Sequence, residues 1–285
     1  MKDIRVAALQ MVSGTSVATN LARAAQLLAQ AAERGAQLAL LPEDFAHLSG
    51  RGSAEAAEAY AGDGAPDAEA QPIQSALARW AAELGIWIVA GAVPLAERAD
   101  GAPVSGGRTR SACLVYDACG TLRARYDKIH LFDVEVDDAA GRYRESASIE
   151  PGDALSMVAA AGANLGLSIC FDLRFPELYR QLAMAGAEIF CVPAAFTYVT
   201  GRDHWLTLLR ARAIENGCFV VAANQGGEHS PKRRTWGHSA IIDPWGDVLA
   251  EASDGEAVLV ADLSAQKLAE VRRRMPLLQM RRLHD

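Results

Sequence analysis

Gly35-Ala36-Gln37-Leu38-Ala39-Leu40-Leu41-Pro42-Glu43-Asp44-Phe45 can be laid without gaps on Gly186-Ala187-Glu188-Ile189-Phe190-Cys191-Val192-Pro193-Ala194-Ala195-Phe196. Each copy carries a short continuous apolar run closed by proline, the pattern of a strand buried on both faces. The likeness continues downstream in the same order. Glu83 to Ala90 matches Glu215 to Ala222, and Ser111-Ala112 with Asp117 to Gly120 matches Ser239-Ala240 with Asp243 to Gly246. Both halves therefore read helix, strand ending in Pro, helix, strand, then a strand running into a Gly-closed turn. Each α/β layer would leave one sheet face needing cover, and stacking those faces predicts a four-layer α-β-β-α sandwich of two mixed sheets with an internal pseudo-twofold repeat. The alternative is a single doubly wound sheet, with the matches arising by chance among apolar and Gly residues.

Periodicity outside the repeat agrees with an α/β fold. Leu21, Ala24, Ala25, Leu28, Ala31 and Ala32 fall at helical spacing, as do Ile73, Ala76, Leu77, Trp80, Ala81 and Leu84. Ile86 to Val89 and Phe219 to Ala222 are short buried-strand runs. With 285 residues, 51% hydrophobic and 22% charged, the chain has material for a sizeable core. A net charge of -7 argues against nucleic acid as a partner. No apolar run reaches the roughly 18 residues of a membrane span, and Met1-Lys2-Asp3 leads into the strand-like Ile4 to Leu9 without a secretory apolar segment, so a cytoplasmic protein is expected. The five cysteines (Cys113, Cys119, Cys170, Cys191, Cys218) show no C-x-x-C spacing, which points to neither a disulfide framework nor a zinc site. Ser49 to Ala70, Arg98 to Arg108 and Gln225 to Gly237 read as loops, and none separates independent domains.

Three residues carry candidate chemistry. Cys170 ends the run Leu165-Gly166-Leu167-Ser168-Ile169 and precedes Phe171-Asp172-Leu173-Arg174-Phe175-Pro176-Glu177, which opens a helical pattern. A thiol on such a turn has a rigid mount, and a helix N-terminus beside it would stabilise a thiolate. Taken alone, a cysteine at a strand end more often packs than reacts. Glu43 stands after the strand-ending Pro42 where the second copy has Ala194, so one half has a carboxylate at its strand end; alone it reads as a loop charge or cap. Lys128, in Tyr126-Asp127-Lys128-Ile129-His130-Leu131-Phe132-Asp133, follows the strand-like Leu122 to Tyr126, and alone it reads as a surface lysine. Together they supply the parts for breaking an unactivated C–N bond. Glu43 can accept the thiol proton and protonate the departing amine, and Lys128 can favour the thiolate and hold the oxyanion with the backbone N–H of Phe171.

Leu41-Pro42-Glu43, Tyr126 to Leu131 and Gly166 to Glu177 resemble the three signature blocks of the nitrilase, or carbon-nitrogen hydrolase, superfamily over essentially the whole length. The resemblance implies that residues 1–285 form a single carbon-nitrogen hydrolase domain with the four-layer sandwich and a Glu43-Lys128-Cys170 triad. It also implies a homodimer or higher homo-oligomer, with no metal and no organic cofactor. A second active-site glutamate matches Glu145 in Arg144-Glu145-Ser146, where it would orient the lysine and substrate. Phe171, Arg174, Phe196 and Thr197 are the implied substrate-binding positions. Asp127 departs mildly from the family's usual residue before the lysine, which bears on how Lys128 is placed.

Arg174-Phe175-Pro176-Glu177, Thr200 to Trp205, Arg210 to Asn216 and Trp236-Gly237-His238-Ser239 resemble the Nit amidase branch, which implies hydrolysis of a small carboxylate-bearing amide. The segment Gln225 to Gly237 is more similar to enzymes acting on deaminated glutathione than to omega-amidases, and its basic cluster would suit a substrate with several carboxylates. His204 and Trp205 are expected to begin a helix near the site, and His238 to make a structural hydrogen bond. Arg272-Arg273-Arg274 and Arg281-Arg282 are expected on a solvated face or dimer contact. A non-catalytic binding scaffold and a papain-like Cys-His hydrolase are the rival readings.

Overall fold

The computed structural model describes residues 1–49 and 54–283; residues 50–53 of the expected loop Ser49 to Ala70 lie outside the described residues. The first half runs β1 (Ile4–Gln10), α1 (Val17–Glu33), β2 (Leu38–Leu41), α2 (Pro72–Leu84), β3 (Trp87–Leu95), β4 (Arg110–Tyr116) and β5 (Leu122–Asp127). A hairpin of β6 (Asp133–Glu135) and β7 (Arg142–Arg144) leads to β8 (Met157–Ala160), β9 (Ala163–Leu167), α3 (Pro176–Met184), β10 (Ile189–Ala194), α4 (Tyr198–Asn216) and β11 (Phe219–Asn224). A second hairpin, β12 (Gly226–Ser230) with β13 (Arg233–Trp236), precedes β14 (Ala240–Ile242), β15 (Val248–Glu251), β16 (Ala257–Leu263) and α5 (Ala265–Arg274).

The main strands form two six-stranded sheets, β16-β1-β2-β3-β4-β5 and β8-β9-β10-β11-β14-β15. Written in these directions they match pair by pair: antiparallel, parallel, parallel, antiparallel, antiparallel. Helices α1 and α3 precede the equivalent strands β2 and β10, and α2 and α4 precede β3 and β11. The repeat is a property of the fold, and the single doubly wound sheet is excluded. Its first sheet is completed by β16, which returns from the far end of the chain to pair with β1.

Side-chain alternation separates the layers. Val6, Ala8, Leu38 and Leu40 enter the core between the sheets with Leu165, Ile189 and Val221. Their neighbours Ala7, Leu9, Ala39 and Leu41 pack instead with Ala24, Leu28, Ile73, Leu77 and Trp80 of α1 and α2. The period of two puts one set on each face of the same strands, and each fully buried Leu stabilises the fold by about 1.5–3 kcal/mol. The sheets approach closely at Gly91 of β3, where a methyl group would stand 2.1 Å from Pro193 Cβ and 2.8 Å from the Leu41 carbonyl oxygen. Both contacts are at strand ends, so this glycine sets how near the two equivalent ends can come.

Two sequence expectations are corrected. The segment Gln225 to Gly237 is largely the β12–β13 hairpin, because Thr235 is buried and His229 bridges the Ser13 carbonyl oxygen (2.7 Å) and Thr235 Oγ1 (2.6 Å). Arg272 is no solvated charge: its guanidinium donates to the carbonyls of Gly217 (2.9 Å) and Ala187 (2.7 Å). Gly217 caps α4, so the cation meets the negative end of that helix. Arg273 and Arg274 are exposed as expected.

Candidate active site

The site lies where the equivalent strands β2 and β10 end. Glu43, 5% exposed, directs one carboxylate oxygen to the Lys128 ammonium at 2.7 Å and accepts the Ala195 N–H on the other at 2.9 Å. Ala195 is the repeat partner of Asp44, so the second copy supplies a backbone donor to the carboxylate that the first copy supplies as a side chain. Gln225 donates to the Glu43 carbonyl at 3.0 Å, fixing the backbone behind it.

Lys128, 2% exposed, follows β5 and is held by its own backbone, whose N–H donates to Ser111. Its ammonium also reaches both Glu145 oxygens, at 2.8 and 2.9 Å. Glu145 opens a short 3-10 turn after β7 and accepts the Phe132 N–H. Asp127 does not compete for the ammonium: its carboxylate pairs with Arg125 at 2.8 Å and lies 3.8 Å from Arg110.

Cys170 begins a five-residue 3-10 turn, Cys170–Arg174, with φ of 51°. A left-handed conformation is uncommon for a residue with a side chain, and here it aims the thiol sharply out of the strand direction. Asp172 over-determines the turn. Its buried carboxylate accepts from the Ile169 N–H (2.8 Å), the Tyr126 hydroxyl (2.7 Å), and the N–H (3.0 Å) and Nδ1 (2.7 Å) of His130. His130 in turn stacks on Phe175 at 3.6 Å. One carboxylate thus ties the segment bearing Lys128 to the turn bearing Cys170.

The electrostatics revise one expectation. The α-helix begins only at Pro176, beyond the reach of a first-turn dipole effect on Cys170. Burial, followed by the Glu43 charge and the hydrogen bond to Glu43, raises the Cys170 thiol well above the ordinary range, against the pull of Lys128 and the Ala195 N–H. These influences favour the protonated thiol, in the same buried cluster as the carboxylate that would take its proton. Burial works against the Lys128 charge, but Glu145, Glu43 and Cys170 outweigh it and keep the ammonium protonated. Glu145 is raised by burial, with Lys128 opposing and Glu43 adding. Asp44, with φ of 56°, joins this cluster; burial and the Glu43 charge push it up to about 8, against Lys128 and Arg233.

Of the expected substrate-side residues, Phe171 stands edge-on to Phe132 and Phe175, beside the turn. Arg174 lies with its guanidinium carbon 5.7 Å from the Phe171 ring and 5.2 Å from the Phe196 ring, its Nη1 3.1 Å from His204 Nδ1. Phe196 is buried against Trp205 of α4. Thr197 is buried and its hydroxyl pairs with Thr200 at 2.8 Å, so its side chain serves the start of α4. His238 contacts Glu251 at 2.9 Å, the structural bond expected of it. Asp172 and the Ala195 N–H were not assigned roles from sequence; Asp172 was visible only as part of the Cys170 block. Among the described residues no group of three His, Cys, Asp or Glu side chains is arranged to hold a metal ion.

This fold and this constellation define a hydrolase class, and the chain belongs to the carbon-nitrogen hydrolase family, whose model matches residues 5–273. It is 40% identical to the deaminated glutathione amidase of Yersinia enterocolitica over 99% of this chain and 94% of that protein. It is 35% identical to an omega-amidase of Danio rerio over 99% of this chain and 96% of that one. Among solved structures, the NitFhit protein of C. elegans superposes with a TM-score of 0.86 at 33% identity, covering 99% of this chain and 66% of that chain.

Proposed function

We propose that this protein hydrolyses a linear amide of a small carboxylate-bearing metabolite through a Cys170 thioester. Glu43 takes the thiol proton as Sγ attacks the amide carbon, and the Lys128 ammonium with the Phe171 N–H holds the resulting oxyanion. Glu43 then gives the proton to the amine as the C–N bond breaks, leaving the acyl group on sulfur. Water, deprotonated by the same Glu43, attacks the thioester; the acid departs and the thiol is restored. Glu145 holds the ammonium in place. Loss of one oxyanion donor typically costs about 3 to 4 kcal/mol of barrier stabilisation.

The observation that carries this reading is the hydrogen bonding of Glu43 to Lys128 and to the Ala195 N–H, with Cys170 buried in the same cluster. Folding alone does not require a buried ammonium among carboxylates beside a thiol, which speaks against a non-catalytic scaffold. His238 is engaged with Glu251, which speaks against a Cys-His hydrolase. Deaminated glutathione, cleaved to 2-oxoglutarate and cysteinylglycine, is the proposed substrate, supported by the relative at 40% identity. The second reading, hydrolysis of 2-oxoglutaramate to 2-oxoglutarate and ammonia, is favoured by the omega-amidase relatives. All five cysteines are unpaired, in keeping with a cytoplasmic protein. A homodimer is proposed as the assembly; Trp245 is 45% and Ile214 42% exposed on neighbouring elements.

Both amides should be assayed side by side with the wild type, Cys170→Ala and Glu43→Gln. Wild-type turnover that vanishes in both variants is expected. Inertness toward both amides would overturn the substrate reading, and turnover by Cys170→Ala the nucleophile. A histidine-based site would survive Glu43→Gln.

A further inference from the structure

The basic cluster Lys232-Arg233-Arg234 is divided by the β12–β13 hairpin. Opposite faces of β13 carry alternate residues, so Arg233 shares a face with the buried Thr235 while Arg234 faces away. Arg234 pairs with Asp254 at 3.2 Å, 3.9 Å above the Tyr198 ring, and Lys232 is exposed. Arg233 turns inward. It donates to the Ala195 carbonyl at 2.9 Å, and its guanidinium carbon lies 5.2 Å from the centre of the Tyr143 ring.

These contacts locate Arg233 on one side of the site. The N–H of the same Ala195 binds Glu43, Tyr143 lies two residues before Glu145, and the Arg233 charge is felt by Asp44, next to Glu43. Arg174, by contrast, is flanked by Phe171 and Phe196 and interacts with Cys170. The departing amine must face Glu43 to receive its proton. Glu43 and Arg233 therefore mark the leaving-group side, and Arg233 is half-buried there with guanidinium N–H groups beyond the one given to Ala195.

Building on the amidase reading above, we propose that Arg233 is a specificity residue that binds a carboxylate carried by the departing amine. An amide that releases cysteinylglycine presents such a carboxylate, whereas one that releases ammonia does not. Arg233 then selects the longer substrate through a charge-assisted hydrogen bond in a partly desolvated setting. Arg234 takes no part.

The test compares wild type, Arg233→Gln and Arg233→Lys, with Arg234→Gln as the control for charge lost from the same hairpin. Three amides are used: deaminated glutathione, its analogue with the terminal glycine as carboxamide, and 2-oxoglutaramate. Wild type should prefer the carboxylate over its carboxamide about 10- to 100-fold in kcat/KM, mostly through KM. Arg233→Gln should abolish that preference, Arg233→Lys should restore part of it, and Arg234→Gln should retain all of it. Equal loss on all three amides, or a preference that persists in Arg233→Gln, overturns the assignment. Wild type that cleaves 2-oxoglutaramate but neither longer amide overturns it as well, leaving the amidase chemistry standing; inertness toward all three overturns both.

Discussion

Replacing Lys128 by Met tests the electrostatic design of the site, because three carboxyl groups surround this one buried cation. The ammonium meets Glu43 at 2.7 Å and Glu145 at 2.8 Å, and its charge also acts on Asp44. Removing one partner from a buried ion pair typically destabilises by about 3–5 kcal/mol, since the other charge is left without compensation. Here the carboxyl groups can escape by taking up protons. Glu145 and Asp44 are already raised by burial and by the Glu43 charge, and in both Lys128 is a lowering influence that the variant lacks. The variant's native state therefore binds more protons than the wild type's wherever these groups titrate, which for Asp44 is around and above pH 8, and its relative stability falls as pH rises. Urea unfolding followed by tryptophan fluorescence should show destabilisation of about 3–5 kcal/mol at pH 8.5, shrinking by about 2 kcal/mol at pH 5.5. Activity should be lost throughout. A destabilisation that is flat with pH, or one that grows toward acid, would refute the reasoning.

Other outcomes follow from the same geometry. Asp172→Asn turns an acceptor toward donors with an amide NH2, leaving the Ile169 N–H or a His130 donor unsatisfied; unfolding stability should drop by about 2–3 kcal/mol and kcat should fall about 100-fold with KM little changed. An unchanged kcat would remove Asp172 from the positioning of the turn. Glu43→Gln removes both the charge and the hydrogen bond that raise the Cys170 thiol, so thiolate absorbance at 240 nm, referenced to Cys170→Ala, should appear at lower pH than in the wild type even though hydrolysis is lost. A titration shifted to higher pH would contradict the proton assignment.

Much of the architecture was legible because the Pro42 and Pro193 runs repeat: equivalent order and pairing of the strands in two sheets follow from that one alignment. The return of β16 to β1 was not, since its partner residues lie at opposite ends of the chain and no local pattern links them. Glu43, Lys128 and Cys170 could be named from their blocks, but their shared partners could not. Asp172, two residues after Cys170, was visible only as part of the Cys170 block; only folding brings Tyr126 and His130 to it. The thiol's protonated rest state was hidden as well, because burial beside Glu43 outweighs the lysine that sequence reasoning credited. Arg233 and Arg234 are adjacent and alike in sequence, and only the hairpin's alternation sends them to different surroundings.

The central claim is that Cys170 carries the acyl group. Wild-type protein quenched in acid during turnover of a slow amide, then analysed by intact-mass and peptide mass spectrometry, should show the acyl mass on the Cys170 peptide, released by neutral hydroxylamine and absent from Cys170→Ala. Turnover without any such adduct, together with an active Cys170→Ala, would contradict the account.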